Sequence, residues 1–261
     1  MIMPQLPCMF QSPRKWTAEH LKALRLCRHH DSSIQEIVGV GYVPKDGDEE
    51  FESLATEFAQ PTEHELLSYL AEGPHYRRNI FMQTFGSLSE VAHSKTSFVA
   101  SRDAVLSLFK MLLVNVETKK HLTISSRGQI PFEVAGIRGA LSCSGSLIDS
   151  SIPRSPLASF IVIRDGDHNI AREVSHLLLQ GALANASNQT RRAFVICMAG
   201  VNLQITMAKF HFDYMDALVH GKNPDRCLDL LHSEWYNLCN RERRKEALRA
   251  IVGLARLLDT Q

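Results

Sequence analysis

The stretch "SFIVIRDGD", residues 159–167, is an apolar run that ends in an acidic turn. Asp165 and Asp167 supply carboxylate oxygens, which are the ligands that Mg²⁺ takes in proteins, and a bound metal could activate water for hydrolysis. Because side chains alternate along a strand, the two aspartates point together only if the strand continues through Gly166. "DGD" is also a strong turn sequence. The stretch therefore fits either a metal-binding strand end or a polar turn in which Asp167 or Asn169 caps the following helix.

Two further groups of reactive side chains occur in the chain. His29, His30 and Asp31 are adjacent, but neighbouring histidines diverge and no further ligand is identifiable, so we interpret them as surface polar residues. The serines of "SCSGS" (142–146) alternate along a predicted strand but do not match the G-x-S-x-G nucleophile elbow. Neither group predicts a complete metal site or a serine hydrolase.

The six cysteines are scattered singly along the chain, at positions 8, 27, 143, 197, 227 and 239. No two of them form a C-x-x-C pair, so a zinc ribbon or a thioredoxin-like motif is not indicated. Cys143 and Cys197 lie in apolar strand-like runs, where we predict buried, reduced thiols.

The composition is that of an ordinary globular protein, with 261 residues of which 44% are hydrophobic and 22% charged, and a formal net charge of +1. Such a charge gives no global basic field, so nucleic acid would have to bind at a local patch. The N-terminus lacks the continuous apolar core of a signal peptide, and no apolar run approaches the ~20 residues of a membrane span. We therefore expect an intracellular protein, in the cytoplasm or the nucleus, without membrane association.

The first 60 residues are predicted to form a leader. Thr17 caps a short helix, and "SIQEIVGVGYVP" (33–44) reads as extended chain. The acidic, turn-rich run "KDGDEEFESLATEFAQ" (45–60) is interpreted as a solvated linker rather than a binding tail. Residues 61–261 then form a single α/β domain with a C-terminal helical segment.

Within that domain, helices and strands alternate. Apolar spacing and capping residues predict one helix from Thr62 to Gly73 and a second with Ser101 as its cap. Further predicted elements are strands within 120–164, a helix at 170–187, a strand pair at 191–210, a short helix closed by Gly221, and one or two helices from Pro224 onward. We predict that the strands of 120–210 form one mixed sheet, on which the 170–187 helix packs through Val174, Leu177, Leu178 and Ala182.

Five segments between residues 141 and 224 follow one another in a recognisable order. They are "LSCSGSLID", "SFIVIRDGD", "IAREVSHLLLQGALANAS", "AFVICMAGVNLQITMAKF" and "HFDYMDALVHGKNP". In order and motif they resemble a branch of largely uncharacterised fungal proteins in the PD-(D/E)XK restriction-endonuclease-like superfamily, and the "WTAEHLKAL…SIQEIVGV" leader is also similar to theirs. The resemblance implies a restriction-endonuclease-like core, in which a mixed central sheet is flanked by helices, with helical additions at both ends.

The resemblance also implies a site for phosphodiester hydrolysis, from which this chain departs. In the superfamily an aspartate, a Glu-x-Lys triplet and a helix glutamate or glutamine converge at one edge of the sheet, where they hold Mg²⁺ and orient water. The aspartate position falls near Ser144, with Asp149 several residues later, and the triplet falls on Arg164, Asp165 and Gly166. A guanidinium thus replaces the metal-binding carboxylate and no lysine follows. The site is predicted to be degenerate and to hold no cofactor.

Two functions follow as alternatives. In the first, a non-catalytic nuclease fold binds nucleic acid or a protein, and four arginines contact phosphates: Arg164, Arg172, Arg191 and Arg192. In the second, an active Mg²⁺-dependent nuclease uses relocated carboxylates: Asp149, Asp165 and Asp167, with Glu133 or Glu173 as further candidates. A third interpretation is an interaction domain, because "LDLLHSEWYNLC" and "ALRAIVGLARLL" are amphipathic and could dock a partner or a second copy of the chain.

Overall fold

The computed structural model describes residues 16–68, 79–94, 97–134, 137–152, 155–163, 170–183 and 191–261. In this part of the chain the helices are α1 (Ala18–Ala23), α2 (Ile34–Val38), α3 (Glu49–Ala59), α4 (Glu63–Leu67), α5 (Ile80–His93), α6 (Phe98–Asn115), α7 (Ile170–Leu183), α8 (Phe212–Val219) and α9 (Arg241–Thr260). The strands are β1 (Leu26–His29), β2 (Leu122–Ser125), β3 (Gln129–Val134), β4 (Ile137–Ser142), β5 (Gly145–Asp149), β6 (Pro156–Ile163), β7 (Arg191–Ala199), β8 (Asn202–Phe210), β9 (Leu228–His232) and β10 (Tyr236–Asn237). The fold is α/β with a mixed sheet flanked by helices, as the sequence predicts.

The main sheet has eight strands, in the order β1-β9-β8-β7-β6-β5-β2, with β10 paired to β8. Two neighbouring pairs, β1 with β9 and β6 with β7, are parallel, and the other pairs are antiparallel. It follows that β1, β2, β6, β7 and β9 all run in one direction. We call the edge at which these strands end the carboxyl edge, and the opposite edge the amino edge.

The sheet is covered on both faces. Helices α2 to α6 and α9 pack on one face, while α1, α7, α8 and the β3–β4 hairpin pack on the other. In β6, Phe160 and Val162 point to the first face and Ile161 and Ile163 to the second. The central strands of the main sheet are buried on both faces, and for this reason their sequences are continuous apolar runs.

Helix α7 packs on the sheet through the stripe that its sequence predicts. Val174, Leu177 and Leu178 are fully buried, and Ala182 is partly buried against the same core. The helix connects β6 to β7, which lie parallel and adjacent. A helical crossover is the connection that a parallel pair requires.

The prediction of one sheet over residues 120–210 is wrong for β3 and β4, which pair only with each other. Residues of β3 alternate between exposed and buried. The hairpin therefore has one buried face and one solvent-exposed face, as is typical of antiparallel strands that cover a core. Its register is fixed where Phe132 lies over Gly139, since a Cβ on that glycine would come within 2.5 Å of the phenyl ring.

Two N-terminal predictions are also wrong. Residues 34–38, predicted as extended, form α2, because Ser33 and Glu36 make a reciprocal capping box. The acidic run predicted as a solvated linker forms α3, with Asp48 as its cap and Phe51, Leu54, Ala55, Phe58 and Ala59 buried. The division into a leader (1–60) and a domain (61–261) stays a prediction, although α3 packs against α9.

The other helical predictions hold in part. Thr17 caps α1 and Thr62 caps α4, as expected, while the predicted end at Gly73 lies outside the described residues. Helix α6 begins one turn earlier than predicted, because Ser97 rather than Ser101 is its cap. Helix α8 precedes Gly221, which has a φ of +68° and so suits the left-handed end of a helix.

The segment after Pro224 is helical only in its second half. Residues 228–237 form β9 and β10 instead, and Leu228, Leu230 and His232 of β9 are buried, alternating with less buried residues. The apolar face of α9 is buried in the core of its own chain, so docking of a second copy through it remains a prediction. Among the described residues, no helix combines the length and the apolar composition needed to cross a membrane.

Candidate functional site at the carboxyl edge of the sheet

Ser144 lies at the carboxyl edge, where β5 begins beside the end of β6. Its backbone N–H donates to the Phe160 carbonyl over 2.8 Å, and its hydroxyl accepts from the Val162 N–H over 3.1 Å. The side chain is 1% exposed. Ser144 therefore joins β5 to β6 through both its backbone N–H and its hydroxyl oxygen.

The end of β6 reaches the same edge, one strand away. The strand ends at Ile163, and the four predicted site residues that follow it, Arg164, Asp165, Gly166 and Asp167, lie outside the described residues. Their predicted roles stay predictions. The last residue of β6, Ile163, lies on the strand that pairs with the start of β5, next to Ser144.

Arginines surround the start of β5 at this edge. Arg172 of α7 donates from Nη1 to the Val162 carbonyl over 2.9 Å. Arg102 of α6 donates to the carbonyls of Ser144 over 3.0 Å and Ser126 over 2.6 Å. Arg127 is exposed, and its carbonyl accepts from the Cys143 thiol over 3.3 Å. We call Arg102, Arg127 and Arg172 the arginine cluster.

Two arginines of this cluster influence the pKa of the Cys143 thiol. Burial raises the pKa of the Cys143 thiol, and the positive charges of Arg172 and Arg102 act in the opposite direction. The hydrogen bonds to backbone carbonyl oxygens orient the two guanidinium groups toward the start of β5.

A buried carboxyl group lies on the α7 side of the same edge. Glu173, in the first turn of α7, is 1% exposed, and its Oε1 lies 3.5 Å from Nδ1 of His232 at the end of β9. The same nitrogen lies 3.1 Å from the Thr206 hydroxyl oxygen of β8. We call Glu173, Thr206 and His232 the buried polar cluster.

The environment of Glu173 favours its protonated form. Burial raises the pKa of its carboxyl group to about 7, although the Thr206 hydroxyl and the positive charge of Arg28 favour ionisation. Removing a carboxylate from water costs more than these neighbours return. Glu173 therefore exchanges a proton near neutral pH, but its burial leaves no open path for a substrate.

Strand β1 covers the buried polar cluster. The exposed His30 ring, which directly follows β1, stacks on His232 with a centroid distance of 5.1 Å and an interplanar angle of 16°. His29 instead binds Asp229 of β9 over 3.0 Å, and both side chains are 54% exposed. His29 and His30 are surface residues, as predicted. In the part of the chain that is described, no three His, Cys, Asp or Glu side chains converge to hold a metal ion.

Helix α7 carries two more buried polar side chains in line with Glu173. His176 Nε2 lies 3.0 Å from the Ser142 carbonyl, and burial lowers the pKa of His176 to about 3, so its ring is neutral. The Gln180 amide donates to the Phe194 carbonyl and accepts from the Phe194 N–H, each over 2.9 Å. The sequence analysis did not identify this row of buried polar side chains on α7. The signal for it is the i, i+3, i+7 spacing of Glu173, His176 and Gln180.

Asp149 and Glu133 are not brought to this site. Asp149 ends β5 at the amino edge, beside the start of β6, and β6 separates it from the carboxyl edge by about 23 Å. Its carboxylate accepts from the N–H and the hydroxyl of Ser151 over 2.8 and 2.6 Å, which forms a local turn. Glu133 lies in the β3–β4 hairpin and pairs with the exposed Arg138 over 2.9 Å.

The four arginines predicted to contact phosphates do not form one surface. Arg172 lies at the carboxyl edge, whereas Arg191 and Arg192 begin β7 at the amino edge. Consecutive strand residues point to opposite faces, and Arg192 donates to the Val38 carbonyl on the α2 side over 3.2 Å. Of the predicted arginines that the structure describes, Arg172 lies in the arginine cluster, and Arg191 and Arg192 do not.

No protein-family model and no curated protein matches this chain. At the carboxyl edge, the arginine cluster is partly exposed to solvent, whereas the side chains of the buried polar cluster are not.

Proposed function

We propose that the protein is a catalytically degenerate member of the PD-(D/E)XK superfamily that binds nucleic acid at the carboxyl edge of its sheet. The order of elements supports the fold assignment. Helix α6 is followed by the antiparallel strands β2, β5 and β6, and α7 then crosses to the parallel strand β7. The β3–β4 hairpin is inserted between β2 and β5. The resemblance implies the order helix, three strands, helix, two strands and helix, and the succession from α6 to α8 supports it when the hairpin is set aside.

The side chains at the corresponding positions support the loss of catalysis. Ser144 occupies the place of the first carboxylate and uses its hydroxyl within the sheet. Glu173, a candidate ligand in the first turn of α7, is buried, and burial raises its pKa to about 7. A divalent ion needs ionised oxygen ligands that it can reach from water, and neither side chain supplies one.

The observation that carries the binding proposal is the convergence of the Arg102 and Arg172 guanidinium groups on the start of β5, beside the backbone of the exposed Arg127. A guanidinium group can bind a phosphate through two hydrogen bonds at once. Contacts to phosphates fix a nucleic acid strand on a protein without reading its sequence. A strand that crosses the carboxyl edge could meet these arginines where a catalytic relative would hold its metal and scissile phosphate.

Arg127→Glu tests this proposal, because Arg127 is the most solvent-accessible member of the cluster. We expect labelled single- or double-stranded DNA or RNA to bind the wild type in a fluorescence anisotropy titration at low salt. Arg127→Glu should weaken that binding at least about tenfold and lower the slope of log affinity against log salt by about one phosphate contact.

Lys209→Glu is the matched control, since Lys209 is exposed on β8 near the amino edge and the charge change is the same. It should leave the affinity within about twofold of the wild type. Equal losses in the two variants, or no binding by the wild type to any of the four nucleic acids, would refute a site at the carboxyl edge.

The alternative function is an active metal-dependent nuclease, and one observation favours it. Glu173 lies on the helix and at the sheet edge where the resemblance places a catalytic glutamate. We nevertheless expect no Mg²⁺- or Mn²⁺-dependent cleavage of DNA or RNA by the purified protein, because Arg164 repels a divalent ion and too few ionised ligands remain to generate hydroxide. Cleavage by the wild type that disappears in an Asp165→Ala, Asp167→Ala variant would establish the nuclease instead.

A further inference from the structure

Two cysteines meet where the outermost strand of the sheet joins its neighbour. Cys27 lies in β1, and Cys227 directly precedes β9. The two strands pair in parallel with Leu26 opposite Leu228, and the Leu228 N–H donates to the Arg25 carbonyl over 3.0 Å. This register sets Cys27 opposite Asp229, so Cys227 lies on the same face of the neighbouring strand, two positions away, and the hydrogen-bonding influence of the Cys227 thiol raises the pKa of Cys27.

These two thiols differ from the other described cysteines in their access to solvent. Cys227 is exposed and Cys27 is half-buried, and both are free thiols. The remaining described cysteines, Cys143, Cys197 and Cys239, are buried. Oxidants act on sulfur that they can reach, so the pair is the accessible thiol chemistry of the described chain.

We propose that Cys27 and Cys227 form a reversible disulfide that links β1 covalently to β9. Positions on the same face of two paired strands and exposure of one thiol favour this reaction. The exposed Cys227 is the sulfur that is oxidised first, and the half-buried Cys27 is the sulfur that resolves the intermediate.

The reaction balances with a hydroperoxide as the oxidant. The Cys227 sulfur attacks one peroxide oxygen, the O–O bond breaks, and Cys227 becomes a sulfenic acid as water leaves when hydrogen peroxide is used. The Cys27 sulfur then attacks the Cys227 sulfur, the S–O bond breaks, and a second water carries away the Cys27 proton. Two electrons pass from the two thiols to the peroxide. A dithiol such as dithiothreitol reverses the reaction by exchange.

The disulfide would decide how firmly β1 is held. Only four residues of β1 pair with β9, and α1, which precedes it, contains no buried residue. Tyr214 adds one hydrogen bond, from its hydroxyl to the Leu24 carbonyl over 2.7 Å. Because His30 follows β1 and stacks on His232, local opening of β1 uncovers the buried polar cluster, and the disulfide prevents that opening.

The test begins with hydrogen peroxide and the full chain, in a Cys8→Ser background that removes the one cysteine outside the described residues. Intact-mass measurement should show a loss of about 2 Da, and peptide mapping should join the peptides of Cys27 and Cys227. Hydrogen exchange of the β1 amides should become roughly tenfold slower in the oxidised protein and recover after dithiothreitol.

Cys27→Ser and Cys227→Ser are the variants that should abolish both the mass loss and the added protection of β1. The mass loss is measured in the Cys8→Ser protein, which keeps both Cys27 and Cys227. Poor folding of either serine variant therefore does not affect that measurement. Oxidation of Cys227 to the sulfinic acid while Cys27 stays a thiol would overturn the proposal. So would disulfide-linked dimers in place of the internal link, or unchanged exchange of β1 in a protein that has formed the link.

Discussion

Glu173 and His176, one turn apart on α7, are buried with opposite consequences for stability. Burial raises the pKa of Glu173 to about 7 and lowers the pKa of His176 to about 3. In each case the neutral form is the one that the folded protein favours. The stability that Glu173 gives is present below its unfolded pKa and is lost as the pH rises through about 7. The stability that His176 gives is present above its unfolded pKa and is lost as the pH falls toward 3.

Glu173→Gln should therefore remove the alkaline loss of stability. We expect the free energy of unfolding of the variant, relative to the wild type, to rise by on the order of 3 kcal/mol between pH 4.5 and pH 8. Urea denaturation at both pH values measures this difference, and His176, present in both proteins, cancels from it. A difference that does not change with pH would mean that folding does not raise the pKa of Glu173.

At the scale of single residues, the sequence predicted burial better than it predicted the site. Cys143 and Cys197 are buried free thiols, as their apolar neighbours indicated. The environment of Glu173 could not be predicted, because its partner His232 lies almost sixty residues away on a strand that was expected to be helical. The arginine cluster was not predicted as a group, because Arg102 and Arg172 lie on different helices. These helices approach the start of β5 only after the sheet has formed.

Helix α3 is the element whose role differs most from its predicted one. Phe58 of α3 is fully buried and stacks on Phe85 of α5 with a centroid distance of 5.9 Å. A solvated linker would show neither feature. The acidic residues that suggested a linker lie on the outer side of the helix or pair with α9, as Asp48 does with Arg256 over 2.6 Å.

Phe58→Ala should lower the free energy of unfolding by about 3–5 kcal/mol, because it leaves a cavity in the core and removes a ring contact. Glu57→Ala, at the exposed neighbouring position of the same helix, should change it by no more than about 0.5 kcal/mol. Chemical denaturation of both variants makes the comparison. Similar small effects in both would show that α3 does not belong to the core.

At the element scale, the long buried strands were easier to predict than short elements such as α2 and β9. The runs of β6 and β7 are apolar throughout because both of their faces are covered, and that signal is independent of the rest of the chain. Helix α2 has five residues, which is shorter than one seven-residue hydrophobic repeat. Its capping box is therefore the sequence signal that could have predicted it. Strand β9 alternates over five residues, which is too short to separate from a helical pattern.

For the molecule as a whole, Arg244 connects distant parts of the chain. This arginine of α9 is fully buried. It donates to the carbonyls of Phe58, Leu238 and Cys239 over 2.9, 2.9 and 3.2 Å, and to that of Pro61. These carbonyls belong to the last turn of α3, to the connection between α3 and α4, and to the segment before α9. One side chain thus satisfies backbone groups from the first and the last quarter of the sequence.

Arg244→Met should destabilise the protein by at least about 3 kcal/mol, since it leaves several buried carbonyl groups without donors. Arg243→Met is the matched control: Arg243 is 45% exposed and forms surface ion pairs with Glu234 and Glu246, which contribute less than about 1 kcal/mol. Thermal or urea unfolding distinguishes the two. A loss for Arg244→Met no larger than that for Arg243→Met would contradict a connecting role.

The contact of α3 with α9 has a consequence for the newly made chain. Roughly 180 residues separate the end of α3 from the start of α9. At roughly 5–20 residues per second, a ribosome needs about ten to forty seconds to make them. During that interval Phe51 and Phe58 have no completed core to enter, so the nascent chain must keep these aromatic side chains from associating with other proteins. Folding of this face is therefore expected to be late and post-translational in large part, and chaperones that bind exposed aromatic segments should recognise residues 49–59 on stalled chains that lack α9.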